Sequence, residues 1–183
     1  MAEQKLLVKR EGDFHYPIYL KNDFQDLAGA IREEGLENRK ICIVTDSHVA
    51  PLYHDAVKSA LQEISPEVFS FVFEAGEKNK NLNTVQELYK TLIENEIDRK
   101  GLLVALGGGV VGDLTGFGAS TYLRGIDFIQ VPTTLLAQVD SSIGGKTGVD
   151  FRAYKNMVGA FHQPKLVYSC AETLKTLTSQ QYI

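Results

Sequence analysis

Apolar residues along this chain fall into runs that alternate between the period of a strand and that of a helix. Near the start, LLVKR and HYPIYL are strand-like runs joined by Glu11-Gly12-Asp13, which predicts a β-hairpin. From Asp23 to Glu34, Phe24, Leu27, Ala28 and Ile31 recur at helical spacing behind an aspartate cap, and Gly35 stops the run. KICIVTD reads as an uninterrupted apolar strand ending at Asp46. A helix from about Pro51 to Ile64 follows, then the strand EVFSFVFEAG. Thr84 and Glu87 have capping-box spacing at the start of the helix TVQELYKTLIENEI. GLLVAL is another buried strand, and GGGVVGD leads from it into the small-residue helix LTGFGAST. IDFIQVP is the next strand, ended by Pro132.

Unbroken Val, Ile and Leu strands alternating with helices predict an α/β, Rossmann-like fold. Its sheet is mostly parallel with helices on both faces, and the N-terminal β-hairpin is added to it. Ligands of such sheets bind where strands end and loops turn into helices. Polar residues of this chain do follow strands: Asp46, Gly76-Glu77, Gly107 to Asp113, and Thr133-Thr134.

The length of 183 residues suits one domain with a real core. A hydrophobic share of 44% and a charged share of 23% are ordinary for a globular protein. The net charge of −4, with both signs mixed, gives no basic face for nucleic acid and no polybasic membrane patch. MAEQKLLVKREGD has no apolar run fit for a signal peptide, and no stretch is long enough to span a bilayer. Cys42 and Cys170 share no short spacing and lie in or beside apolar segments, which reads as two reduced cysteines of a cytoplasmic protein. ETLKTLTSQQYI sets a helix cap, Thr178 or Ser179, before a single turn. One turn gains little against the cost of nucleation, so the sequence reads as a piece of a longer chain.

Candidate chemistry gathers in the second half. Gly107, Gly109 and Gly112 form G-x-G-x-x-G after a strand and at the opening of a helix, where backbone amides can approach a pyrophosphate. An ordinary Rossmann dehydrogenase carries this motif in its first strand-turn-helix unit, whereas here it comes later. DSSIGGKT ends like a nucleotide-phosphate loop at Gly145, Lys146 and Thr147, but Asp140 stands where that loop begins with glycine. In VPTTLLAQVDSS, Thr133 and Thr134 can cap a short helix that carries Asp140 between apolar neighbours. Such a carboxylate needs a partner or a function, and Lys146 is the candidate partner. Lys155-Asn156 adds a second cation and an amide. GEKNK places Glu77 and Lys80 in a loop that spacing alone reads equally as a contact or a solvated turn. His15, His48, His54 and His162 show neither H-E-x-x-H nor paired metal spacing and read as surface or turn residues.

The run GGGVVGDLTGFGASTYLRGIDFIQVPTTLLAQVDSSIGGKTGVD, followed by KNMVGAFHQP and TLKTL, closely resembles 3-dehydroquinate synthase. That family is one of the sugar-phosphate cyclases and is more distantly similar to glycerol-dehydrogenase-like polyol dehydrogenases. The resemblance implies a phosphate-eliminating carbon-oxygen lyase of the shikimate route to chorismate and the aromatic amino acids. It would convert 3-deoxy-arabino-heptulosonate 7-phosphate to 3-dehydroquinate, with NAD regenerated in each turnover and a divalent metal, zinc or cobalt. A homodimer is implied too. Carried over by position, Asp46, Glu77, Lys80, Gly108, Gly109, Val110, Asp113, Thr133, Thr134, Lys146, Lys155, Thr173, Leu174, Lys175 and Thr176 match cofactor contacts. Asp140, Lys146 and Asn156 match substrate-side residues, and Arg124 matches an arginine that reaches the substrate phosphate of the neighbouring subunit. His48 stands where the family often has Asn. The phosphate-loop reading of Lys146 is thereby disfavoured.

Length is where the chain departs from the family. The family's zinc ligands are a Glu in the helix that begins here at Thr178 and two His in a helical C-terminal half, so no metal ligand is expected in this chain. Residues 1–183 are therefore read as the N-terminal NAD-binding domain, inactive alone, with residues 178–183 opening the first helix of a C-terminal domain. Another sugar-phosphate cyclase and a non-catalytic NAD-binding module are the alternatives.

Overall fold

The computed structural model describes residues 3–182. Its main sheet contains β1 (Gln4–Arg10), β2 (Asp13–Lys21), β3 (Ile41–Asp46), β4 (Val68–Phe73), β5 (Leu102–Gly107), β6 (Asp127–Pro132) and β9 (Val167–Cys170). Strand order is β1-β2-β9-β6-β5-β3-β4, and only the β1–β2 pair is antiparallel. A separate hairpin pairs β7 (Lys146–Phe151) with β8 (Tyr154–Phe161). The helices are α1 (Leu27–Glu33), α2 (Ala50–Gln62), α3 (Leu82–Glu94), α4 (Gly109–Thr121) and the short α5 (Ser179–Tyr182). Among the described residues no helix is long and apolar enough to cross a membrane.

Alternation along the central strands divides the core in two. Ile41, Ile43, Leu102, Val104 and Leu106 pack with Leu27, Ile31, Val57 and Leu61 of α1 and α2. Their neighbours Cys42, Val44, Leu103 and Ala105 pack with Val85, Leu88, Val111 and Leu114 of α3 and α4. Both faces are covered, which is why these strands are apolar throughout rather than alternating with polar residues. The expected Rossmann-like layering and N-terminal hairpin are therefore present.

Local details differ from the sequence reading. The cap of α3 is Asn81, whose side chain accepts the Thr84 N–H at 3.1 Å, so the helix starts two residues before Thr84. An Asn side chain placed three residues before the N–H it accepts is at least as good a cap as threonine. Asp23 caps only a preceding turn, accepting the Gln25 N–H, and α1 begins at Leu27. At the other end, Gly35 (φ 70°) closes α1 with paired bonds from Gly35 N to Arg32 O and from Leu36 N to Ile31 O. The β7–β8 hairpin and β9 were not foreseen, and α4 begins inside the glycine run rather than after it.

Register aligns the carboxyl ends of the parallel strands: Asp46 faces Phe73, and Gly107 faces Pro132. The chain steps outward from β3 to β4 and then returns to place β5 on the other side of β3. The loops after β3 and β5 therefore flank a topological switch point, the expected place for a ligand in an open α/β sheet. Arg124 follows α4 and precedes β6, so it lies toward the amino-terminal ends of the parallel strands, opposite the switch-point loops.

Gly116 lets α4 sit against both β6 and β7, since a Cβ there would lie 2.4 Å from Thr147 Cγ2 and 3.1 Å from Phe128 Cζ. Gly116→Ala is expected to destabilise the fold by about 1–3 kcal/mol through overpacking. Gly29, exposed in α1 with open space around it, should give the opposite sign, with Gly29→Ala stabilising by roughly 0.5–1 kcal/mol. Urea unfolding of the two variants checks both signs, and equal midpoints would contradict the packing argument.

Candidate functional site

The N-terminus of α4 opens onto the switch point. Gly108 is its N-cap with no side-chain cap, and the first helical bond runs from Gly112 N to Gly108 O. The amides of Gly109, Val110 and Val111 are thus left for a ligand at the positive end of a 13-residue helix. The cradle is closely lined: a Cβ on Gly108 would lie 3.0 Å from Thr134 Cγ2, and one on Gly109 would lie 3.2 Å from Ser141 Oγ. Gly112 packs the helix against Gln130 of β6. An uncapped helix end without side chains suits a pyrophosphate.

Beside this cradle lies Lys80, only 4% exposed. Its Nζ is 2.9 Å from Asn156 Oδ1, 3.2 Å from Glu77 Oε1, 3.3 Å from Asp113 Oδ2 and 3.9 Å from Asp150 Oδ1. Burial opposes the ammonium, but the Asp113 and Glu77 carboxylates outweigh it and hold the Lys80 pKa above the ordinary lysine value. Burial likewise dominates at Asp113 and raises its pKa, with Lys80 acting against that rise. Lys155, well exposed, comes within 3.8 Å of Glu77.

Asp113, Asp140, Lys146 and Asn156 all line one cavity of about 500 Å³. Asp140 belongs to a π-helical turn, Ala137–Ser141, capped by Thr134 Oγ1, which accepts the Ala137 N–H. Both Asp140 and Lys146 are exposed, and they form no ion pair; the expected pairing is replaced by a shared cavity. Lys146 begins a strand, not the helix a nucleotide-phosphate loop requires. Thr147, read from the sequence only as part of a phosphate-loop ending, also lines the cavity, as do Ser141, Met157 and Phe161, which were not singled out.

Other residues are arranged differently. Asp46 Oδ1 accepts the N–H groups of His48 and Val49, turning the chain into α2. Thr133 is buried, its N–H bonded to Gly107 O. In the 3₁₀ turn Ala171–Thr176, Thr173 is buried and its Oγ1 accepts from Gln138 Nε2, while Thr176 Oγ1 meets Tyr53 OH. Leu174 and Lys175 occupy the outer side of that turn. Arg124 is exposed, and none of the described residues pairs with it. Of the histidines, His162 is not a plain surface residue: it stacks on Phe128 and donates from Nε2 to Ile126 O. Among the described residues no three His, Cys, Asp or Glu side chains group to hold a metal ion.

A family model described as "3-dehydroquinate synthase N-terminal" matches residues 70–183. The chain belongs to the 3-dehydroquinate synthase family. It is 49% identical over 169 residues to a 3-dehydroquinate synthase of Acetivibrio thermocellus, covering 92% of this chain and 47% of that one. The chain thus spans about half the length of the curated relatives it matches. Its fold superposes on 2-deoxy-scyllo-inosose synthase complexed with carbaglucose-6-phosphate, NAD+ and Co2+ with a TM-score of 0.88. That match has 25% identity and covers 98% of this chain and 48% of the other. ValA, the 2-epi-5-epi-valiolone synthase of Streptomyces hygroscopicus with NAD+ and Zn2+ bound, gives a TM-score of 0.81 at 31% identity, covering 95% and 48%.

The Lys80 cluster makes its own prediction. A raised Lys80 pKa means its contribution is complete at every pH below the ordinary lysine value and is lost only as alkaline pH climbs through the raised value. For Asp113 the raised pKa favours the protonated form in the fold, so ionising it already costs stability that Lys80 offsets. Lys80→Met should destabilise the chain by about 2 kcal/mol at neutral pH and push the Asp113 pKa further up. Unfolding curves and an NMR titration of the Asp113 carboxyl test this; an unshifted Asp113 would show that the lysine is a bystander.

Proposed function

We propose that this chain is the NAD-binding part of a 3-dehydroquinate synthase, which converts 3-deoxy-arabino-heptulosonate 7-phosphate to 3-dehydroquinate and phosphate in the shikimate route. The observation that carries this reading is the uncapped glycine N-terminus of α4 beside Asp113 and a polar cavity, in a chain of this family. Gly108, Gly109 and Val110 take the pyrophosphate on their amides. Asp113 holds the nicotinamide ribose, while Asp46, Glu77 and Lys155 serve the adenosine side. Lys80 acts from behind, fixing Glu77 and Asp113. Thr133 and Thr134 floor the cradle, and the turn Thr173 to Thr176 flanks it through its backbone and the outer residues Leu174 and Lys175. NAD, when bound, supplies a hydride acceptor that is restored within the turnover.

On the substrate side, Lys146 and Asn156 offer donors to anionic and hydroxyl oxygens, and Asp140 offers an acceptor. Met157 and Phe161 add exposed apolar surface to the cavity wall. Arg124, far from this cavity within its own chain, reaches the substrate phosphate of a neighbouring subunit in a homodimer, where a planar guanidinium suits phosphate. Among the described residues no three His, Cys, Asp or Glu side chains group to hold the zinc or cobalt of the family, whose ligands the reading places outside this chain. Thr178, whose N–H is bonded to Gln181 Oε1, opens the first helix of a C-terminal domain; Ile183 lies outside the described residues. With Cys42 and Cys170 both free and buried, the cytoplasm is the proposed compartment.

Calorimetry should detect NAD binding by the 183-residue chain, and Gly109→Val should weaken it at least about tenfold while the fold survives. The Cβ of the new side chain would come within 3.4 Å of only the flexible Ser141 hydroxyl. ATP should bind no better than ADP, since no group is placed for a third phosphate. The chain alone should release no phosphate from the heptulosonate phosphate. Unchanged NAD affinity in folded Gly109→Val would reduce the glycine run to a mere turn and remove the basis of the reading.

A further inference from the structure

The register of the β7–β8 hairpin shifts between Val149 and Phe151. Val149 faces Val158 and Phe151 faces Tyr154, so the single residue Asp150 stands opposite a three-residue bulge, Lys155 to Met157. Bulges re-aim side chains, and this one sends Lys155 toward Glu77 and Asn156 toward Lys80. Asn156 sits at φ 54°, a left-handed conformation that asparagine tolerates better than other residues with a Cβ. Its backbone N–H donates to Asp150 Oδ1 at 2.8 Å. Asp150 is itself anchored: its N–H donates to Lys80 O at 2.8 Å, and it bridges to Asn81.

The Asn156 side chain has a fixed polarity. The Lys80 ammonium can only donate, so the atom 2.9 Å from it is the Asn156 oxygen. With that oxygen engaged, what Asn156 has left for a ligand in the cavity is a pair of N–H donors, which none of the described residues takes. We propose that Asp150 is a positioning residue: its carboxylate holds Asn156 in the left-handed bulge so that the amide presents donors to an acceptor oxygen of the sugar phosphate. This rests on the reading of the cavity as the substrate side of an NAD enzyme. Asp150 acts through the Asn156 backbone, its carboxylate lying a longer 3.9 Å from the Lys80 ammonium.

The test uses the ¹⁵N-labelled 183-residue chain saturated with NAD and titrated with 3-deoxy-arabino-heptulosonate 7-phosphate, following the Asn156 side-chain NH₂ signals. Wild type should show a saturable shift. Asp150→Asn keeps an acceptor oxygen for the Asn156 N–H and should titrate within twofold of wild type. Asp150→Ala removes the acceptor and should need about tenfold more sugar phosphate. NAD affinity by calorimetry should agree within twofold across all three proteins. An Asp150→Ala protein that titrates like wild type overturns the proposal, as does an Asp150→Asn protein as weak as the alanine variant. Should Asp150→Ala fail to fold, Asp150→Asn decides alone, retention supporting the proposal and loss overturning it. No shift of Asn156 in NAD-bound wild type overturns the proposal and leaves the NAD reading standing. Absent NAD binding defeats the reading underneath and the proposal with it.

Discussion

A buried ammonium holds three parts of this protein in register. Lys80 reaches from the loop after β4 to Asp113 on α4 and to Asn156 and Asp150 on the β7–β8 hairpin. A lysine that is nearly sealed from solvent is tolerated only with carboxylates around it, and here those carboxylates come from separate elements. The electrostatic requirement of one side chain therefore sets the geometry of the loop, the helix and the hairpin together. Small residues complete the arrangement: Gly116 lets α4 close on β7, and Gly112 lets it close on β6.

This constraint joins the two sides of the site. Glu77 and Asp113 face the switch point of the sheet, where the glycine N-terminus of α4 waits for an anion. Asn156 faces the cavity with Asp140 and Lys146. The proposed function requires cofactor and substrate to be held in one fixed relation, because effective concentration depends on orientation. A single charge network spanning both sides supplies that relation without a long chain of intermediaries. Synthases of similar fold have been solved with NAD+ and a divalent metal bound.

Much of this was legible in the sequence for a simple reason: each central strand is buried on both faces and so carries an unbroken apolar signal. The glycine run was legible as G-x-G-x-x-G at a strand-to-helix step, where a Cβ would crowd Thr134 or Ser141. Family resemblance brought Asp140, Lys146 and Asn156 together before the structure placed them around one cavity. The hairpin was not legible, since its turn at Arg152 adopts a positive φ without glycine or asparagine, and its exposed face carries Tyr154, Met157 and Phe161 like a buried strand. Nor was the burial of Lys80, because GEKNK has the composition of a solvated turn. Apart from Glu77 in the same loop, its partners lie 33 to 76 residues away, beyond the reach of local pattern. The expected Asp140–Lys146 pair failed for a different reason: both side chains are exposed, where an ion pair gains little.

The most direct test of the account is a crystal structure of this chain with NAD. The account predicts pyrophosphate oxygens within hydrogen-bond distance of the Gly109 and Val110 amides, the nicotinamide end beside the cavity of Asp140 and Lys146, and the Lys80–Asn156 contact retained. Pyrophosphate bound elsewhere, for instance in the second hollow between Glu77 and Arg152, with the α4 N-terminus left to water, would contradict it.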